Sequence, residues 1–217
     1  MRTPMRLAWG RCQMSDFVEK LRLKGQAEED IYFARRERDL IAALRARRSL
    51  ALRKVISGGQ TGVDRGALEA ALELPRSAGI SVGGWCPLGR IAEDGVIDAR
   101  FPLSETPNGD PAQRTAWNVR DADATLILSQ GGLTGGTALT AEMAKRLEKP
   151  LLVVDLQRPV PMADVLSWMR RAAVRVLNVA GPRESQAPGV TKDARDFMSR
   201  LLAAVVQVIE HTEDECQ

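Results

Sequence analysis

Two stretches of this chain combine glycines with hydroxyls in a way that suits anion binding. The first reads Ser57-Gly58-Gly59-Gln60-Thr61-Gly62-Val63-Asp64-Arg65-Gly66, directly after a β-like run and directly before a helical one. Glycine lets a backbone turn sharply and approach a ligand closely. The helix start that follows offers unpaired N–H groups and the positive end of a dipole, which together attract phosphate. Ser57 and Thr61 add hydroxyl donors, and Arg65 adds positive charge. The second stretch, Ser129-Gln130-Gly131-Gly132-Leu133-Thr134-Gly135-Gly136-Thr137, has the same placement. The first is not a Walker A loop, because no Gly-Lys-Ser/Thr follows at the required spacing, and it departs from Gly-x-Gly-x-x-Gly. The bland alternative is a tight turn whose glycines serve packing alone. Two such turns in one small domain make the stronger signal, and they predict a phosphate-bearing ligand.

Both turns can reach one ligand only if they leave the same end of a parallel sheet, near a switch in strand order. The sequence after Arg53 supplies such elements. Residues 54–57, 80–85, 125–129, 151–155 and 175–179 read as strands. Residues 66–74, 112–121, 137–148, 162–172 and 191–209 read as helices. Strands alternating with helices imply parallel strands joined by right-handed crossovers. The run Leu151-Leu152-Val153-Val154 fits a sheet covered on both faces. Residues 87–111, polar and marked by prolines, form a long ordered loop of the kind that often carries function. The expected fold is α/β and Rossmann-like, a mostly parallel sheet with helices on both faces, plus an N-terminal helical arm. Residues 1–52 are the leader and arm, 53–212 the binding domain and 213–217 a polar tail. Within the arm, residues 16–48 read as one or two helices, with Gly25 as the break. Met14 reads as an alternative start, with Ser15 or Asp16 capping the helix behind it.

Composition narrows the chemistry. At 217 residues, 44% hydrophobic and 27% charged, the chain is ordinary for a globular protein with one α/β domain and an appendage. Its apolar runs are a few residues long, whereas a membrane-spanning helix needs about 20, so no membrane association is expected. The first dozen residues lack the continuous apolar stretch of a secretion signal. Cys12, Cys86 and Cys216 are too few and too scattered for a disulfide framework or a zinc cluster. They fit a reducing, cytoplasmic setting. His211 is the single histidine, which argues against a histidine base or a histidine-rich metal site. The net charge of +3 divides into +7 over residues 1–54 and −4 over the rest. A basic arm could touch nucleic acid or an acidic partner. However, Arg35, Arg36 and Arg38 alternate with Glu37 and Asp39, the pattern of a solvated helix face, so nucleic acid is not the expected partner.

Five segments together carry a family resemblance. They are the first turn, Gly83-Gly84-Trp85-Cys86-Pro87-Leu88-Gly89-Arg90, Ala92-Glu93-Asp94-Gly95, Arg114-Thr115-Ala116-Trp117-Asn118-Val119-Arg120-Asp121 and Gly135-Gly136-Thr137. In this order they resemble the putative molybdenum-carrier family, a circularly permuted branch of the SLOG superfamily of Rossmann-like nucleotide-binding proteins. The resemblance covers roughly residues 54–180 and leaves out 1–53. It implies the fold and a phosphorylated ligand, either molybdenum cofactor or a nucleotide. The cytokinin-activating phosphoribohydrolases of the same superfamily carry Gly-Gly-x-Gly-Thr with a catalytic Glu three residues later. Thr140 stands at that position here, and Glu142 lies two residues further on. Ala116 stands where an acidic residue is expected, and Pro75-Arg76-Ser77 looks like a short insertion before the second strand.

The polar residues between the turns can be assigned against that background. Arg90 and Arg114 could clamp phosphate through paired guanidinium hydrogen bonds, or else form surface salt bridges. Glu93 and Asp94 precede Gly95 and could bind ribose hydroxyls, hold Mg²⁺, act as a general base or simply order the loop. Asp64 sits at a helix start, where a carboxylate complements the dipole. Asn118 and Asp121 are three apart on one helix face and could read a base. Trp85 could stack on a pterin or purine ring, and Cys86 could be a soft ligand for molybdenum; both are more often core residues.

The expected function is binding, as a carrier or sensor, of a phosphorylated nucleotide or molybdenum-pterin cofactor. Ser57, Gly58, Gly59, Gln60, Thr61, Gly131, Gly132, Gly135, Gly136 and Thr137 would surround the phosphate. Asp64, Arg65, Arg90, Arg114, Glu93, Asn118 and Asp121 would neutralise it or select the remainder. One alternative is a nucleotide-processing hydrolase with Glu93 or Glu142 as the acid/base residue, with or without Mg²⁺. The other is a partner-binding module with a regulatory nucleotide site. A homo-oligomer is open to this fold type, although no residue specifies it, and no metal-ligand set is legible.

Overall fold

The computed structural model describes residues 52–214 together with residues 25, 29, 31–33, 35 and 36. The chain divides into two compact units, Met1–Arg45 and Ala46–Gln217. In the first, every described residue is helical, including Gly25. The expected break is therefore not at that position. Glycine costs a helix interior only about 1 kcal/mol, too little by itself to force a break. The leader, the start at Met14 with its cap, Cys12 and Cys216 lie outside the described residues.

The second unit is built on five parallel strands: β1 (Lys54–Ile56), β2 (Ser81–Gly83), β7 (Ala124–Ser129), β8 (Leu151–Asp155) and β9 (Val176–Ala180). Their order across the sheet is β2-β1-β9-β7-β8. The helices are α1 (Val63–Leu72), α2 (Pro111–Asp121), α3 (Gly135–Arg146), α4 (Met162–Arg171) and α5 (Val190–Asp214). Helices α1 and α4 pack on α5, while α2 packs on α3, giving one helical layer on each side of the sheet. Every residue of β7 is buried, and Val55, Leu126, Leu177 and Leu201 are fully enclosed in the main core. Each such side chain contributes about 1.5–3 kcal/mol by leaving water. The expected parallel α/β fold is thus observed. No helix among the described residues is long and apolar enough to cross a membrane.

Several details differ from the expectation, each for a local reason. Strand β8 lies at the edge of the sheet, and Val153 on it is 43% exposed. Helix α3 begins at Gly135 rather than two residues later, so the glycine pair forms its first turn. Helix α5 runs on to Asp214, taking in the start of the expected tail. Pro75-Arg76-Ser77 folds as a 3₁₀ turn spanning Arg76–Ala78.

The loop over 87–111 is more structured than its composition suggests. It contains an antiparallel hairpin, β4 (Ile91–Ala92) with β5 (Gly95–Val96). A parallel pair, β3 (Trp85–Cys86) with β6 (Ser104–Glu105), spans its base. Together these enclose a second small core of Leu68, Cys86, Ala92, Ile97, Phe101 and Leu103. Arg90 organises the loop. Its guanidinium donates to the carbonyls of Ile97 (3.1 Å), Leu103 (3.1 Å), Asp98 (2.9 Å) and Phe101 (3.0 Å).

Candidate functional site

The central position of β9 determines where a ligand can lie. The crossover after β1 leads outward to β2, and the crossover after β7 leads outward to β8. Between them, above the carboxyl end of β9, is the switch point at which open parallel sheets bind ligands. The segments that follow β1, β7 and β9 all border it.

The turn after β1 is packed and internally satisfied. Ser57 is buried and donates its hydroxyl to the Val179 carbonyl at 2.7 Å. A methyl group at Gly58 would overlap Arg114 Nη1, and one at Gly59 would overlap Leu103. At Gly62 it would overlap the Pro182 carbonyl, and at Gly66 the Thr191 carbonyl. The first two N–H groups that open α1 are already used. Gly62 donates to Thr191 Oγ1 (3.1 Å) and Val63 to the Pro182 carbonyl (3.2 Å). Asp64 is buried and accepts from Arg114 Nη1 at 3.0 Å. Arg65 pairs with Asp94 and also donates to the Gly59 carbonyl at 3.5 Å.

The turn after β7 is the opposite. Gly131, Gly132 and Gly136 have nothing within 4 Å of where a side chain would begin, and Gly135 meets only Gln186 Nε2 at 3.6 Å. Gly131 and Gly135 have positive φ (90° and 49°), which explains those two glycines by backbone conformation. Gly132 and Gly136 have neither that reason nor a packing reason. Thr134, at the N-cap of α3, makes no side-chain cap. Its carbonyl accepts from Thr137 and Ala138, leaving the N–H groups of Gly135 and Gly136 without a helical partner.

Between the two turns is a cleft in two parts. The wider part, about 370 Å³, has Gln60, Glu93, Arg114 and Arg183 among its walls. The narrower part, about 70 Å³, runs from Asp64 and Arg114 to Gly136, Thr137 and Thr140. Gln60, Pro111, Arg114 and Arg183 line both. Arg183, from the segment after β9, makes no side-chain ion pair among the described residues. Its charge acts on the Glu93 carboxylate without a direct ion pair, and sequence reasoning missed it. The signal available was its place three residues beyond the last strand, in a fold whose strand-following loops converge.

Glu93 is tied down at the rim. Its carboxylate accepts from the Thr61 hydroxyl, from Ser185 Oγ (2.6 Å) and from Ser185 N (3.2 Å). The Ser185 hydroxyl and then that of Thr61 hold its carboxyl below the usual glutamate range. The Gln60 side-chain oxygen accepts from Thr61 N (3.0 Å) and Glu93 N (2.9 Å), joining the turn to the hairpin.

Of the residues singled out from sequence, the cleft brings together Gly58, Gln60, Asp64, Glu93, Arg114, Gly136 and Thr137. Arg90 is not among its walls, being engaged with the loop carbonyls. Asn118 clamps the backbone of Trp85, accepting from its N–H (2.8 Å) and donating to its carbonyl (2.9 Å). Asp121 accepts from Trp85 Nε1 at 2.7 Å and pairs with Arg120. Trp85 meets Trp117 edge to face at 4.7 Å, and neither ring faces the cleft walls. Cys86 is fully buried in the second core, and burial pushes its thiol up. Glu142 is exposed on α3 away from the cleft, whereas Thr140 lines it and donates to the Gly136 carbonyl at 2.9 Å. Among the described residues no cluster of three or more His, Cys, Asp or Glu could hold a metal ion.

A parallel sheet with a cleft over its switch point, walled by glycine turns and arginines, defines a Rossmann-like ligand-binding protein. The chain belongs to the circularly permutated YpsA SLOG family, which it matches over residues 55–202. It is also similar to a crystal structure described as a putative molybdenum carrier protein from Syntrophus aciditrophicus SB. The two are 42% identical, with a TM-score of 0.64 over 70% of this chain and 96% of that one. None of the curated proteins matches. The family resemblance carried by the sequence motifs is therefore borne out.

Proposed function

We propose that this protein is a cytoplasmic carrier or sensor that binds a phosphorylated small molecule, with the phosphate at the start of α3. The observation that carries this reading is the empty space over Gly132 and Gly136, beside two unpartnered N–H groups. Glycine that neither packs nor bends the chain leaves room for something outside it. A phosphate there would accept from the Gly135 and Gly136 N–H groups at the positive end of α3. Arg183 and the free edge of Arg114 would supply charge-assisted hydrogen bonds from the facing wall.

The relative from Syntrophus is described as a molybdenum carrier, and a pterin phosphate suits this turn as well as a nucleotide does. The metal itself finds no soft donor in the walls, because Cys86 is enclosed in the second core. Mg²⁺ would find its two nearest carboxylates committed, Asp64 to Arg114 and Glu93 to Thr61 and Ser185. The same commitment makes Glu93 a weak base, which favours binding over turnover. The reading therefore attaches to the phosphate ester, not to a protein–metal bond.

The test is to purify the protein natively, denature it and identify the released molecule by mass spectrometry with elemental analysis. A phosphorylated compound at near one per chain is expected, with any molybdenum bound to that compound. A stoichiometric ligand without phosphate would overturn the reading.

A further inference from the structure

The wider part of the cleft has a wall that the phosphate does not explain. Leu88 and Ile91 line it while remaining 52% and 57% exposed. Val96 faces Ile91 across the hairpin and is 71% exposed, continuing the same apolar surface. The loop does not lack a place to bury such groups, since its own core encloses Ile97, Phe101 and Leu103 beside them. Single exposed apolar residues need no explanation, but a contiguous set against a cleft marks a contact surface. Pro87 and Ala92 complete this wall, and the charged residues of the lining are Glu93, Arg114 and Arg183. A volume of about 370 Å³ falls in the range of small-molecule sites, which pair apolar walls with a few directed polar groups.

We infer that the β4–β5 hairpin is the ring-recognition surface of the site. A planar, uncharged heterocycle lies against Leu88 and Ile91, while the phosphate of the same molecule reaches the start of α3. This rests on the phosphate reading above and adds to it the surface that takes the remainder of the ligand, which separates a ring-bearing phosphate ester from a sugar phosphate or a free oxyanion. The Glu93 clip to Thr61 and Ser185 holds the hairpin over the first turn, so the apolar wall stays a fixed distance from the cations. Covering two half-exposed aliphatic side chains should favour a ring-bearing ligand by about tenfold or more over its ring-free counterpart.

The experiment is calorimetric titration of the full chain with four probes: a purine nucleoside monophosphate, a pterin phosphate, ribose 5-phosphate and inorganic phosphate. Wild type, the Leu88→Ser/Ile91→Ser double variant and Gly136→Asp are compared. Both apolar positions are solvent-facing, so the double variant keeps its fold, which circular dichroism checks. At least one ring-bearing probe is expected to bind about tenfold tighter than ribose 5-phosphate to wild type. The double variant should lose that advantage and keep its affinity for ribose 5-phosphate. An advantage that is absent, or that survives the double variant, overturns the hairpin assignment alone. If no probe binds, or if Gly136→Asp binds all of them like wild type, the phosphate reading fails and the ring assignment falls with it.

Discussion

The two glycine-rich turns leave the same end of the same sheet, yet they need glycine for different reasons. After β1, each glycine makes room for the protein itself: Arg114 at Gly58, Leu103 at Gly59, the Pro182 carbonyl at Gly62 and the Thr191 carbonyl at Gly66. After β7, the space beside Gly131, Gly132 and Gly136 is open. The hydroxyls follow the same division. Ser57 and Thr61 are spent on Val179 and Glu93, whereas Thr134 caps nothing. A motif that looks like a phosphate loop can therefore be a scaffold, while its neighbour keeps open space beside its glycines. The difference is visible only when each glycine is tested against what surrounds it.

The largest effect should come from adding a methyl group to the packed turn. Gly62→Ala combines a φ of 79° with overlap on backbone atoms of Pro182 and Arg183. It should cost about 3 kcal/mol or more in denaturant unfolding, from strain and overpacking together. Gly136→Ala, at an open position with ordinary φ, should stay within about 1 kcal/mol of wild type. Equal losses at the two positions would remove the contrast.

Arg114→Ala comes next, because it strands the buried carboxylate of Asp64. A loss of about 2–3 kcal/mol is expected, less than for a fully enclosed pair since Arg114 keeps some exposure. Arg183→Ala should instead leave stability unchanged while weakening phosphate-ester binding by about 10- to 100-fold. Thermal unfolding and calorimetry on the same two variants separate the cation that serves both scaffold and ligand from the one that serves the ligand alone.

The smallest effect concerns pH. Glu93 is held ionised in the folded protein by Ser185 and Thr61, so its carboxyl lies below the usual glutamate range. The stability it contributes is complete above the ordinary glutamate range and is lost as pH falls through the lowered folded value. Glu93→Gln should therefore flatten part of the acid-side loss of stability and change little at neutral pH. An acid limb unchanged in the variant would show that the clip adds nothing to stability.

Much of this was legible from residue order. Strands followed by glycines and then by helical periodicity located both turns and the parallel sheet. The cleft does gather Gln60, Arg114, Gly136 and Thr137, which spacing had singled out. Strand order was not legible, because nothing in residues 176–180 announces that β9 inserts between β1 and β7. Arg183 was lost with it, since its relevance depends on that central position. For Arg90, residue type allows a phosphate clamp or a surface salt bridge, and the structure shows neither. A guanidinium satisfies backbone carbonyls as well as it does oxyanions, and here four carbonyls surround it. Asn118 and Asp121 do share a helix face, but that face meets Trp85 rather than the cleft.

The most direct measurement is the affinity of Gly136→Asp, relative to wild type, for the phosphate ester that wild type binds most tightly. The substituted carboxylate would enter open space where the phosphate is placed, so the fold should survive while both bulk and like charge oppose the ligand. Loss of at least about 100-fold in affinity, with an unchanged unfolding midpoint, is the predicted result. Binding equal to wild type would contradict the account, because the phosphate would then lie somewhere other than the turn after β7.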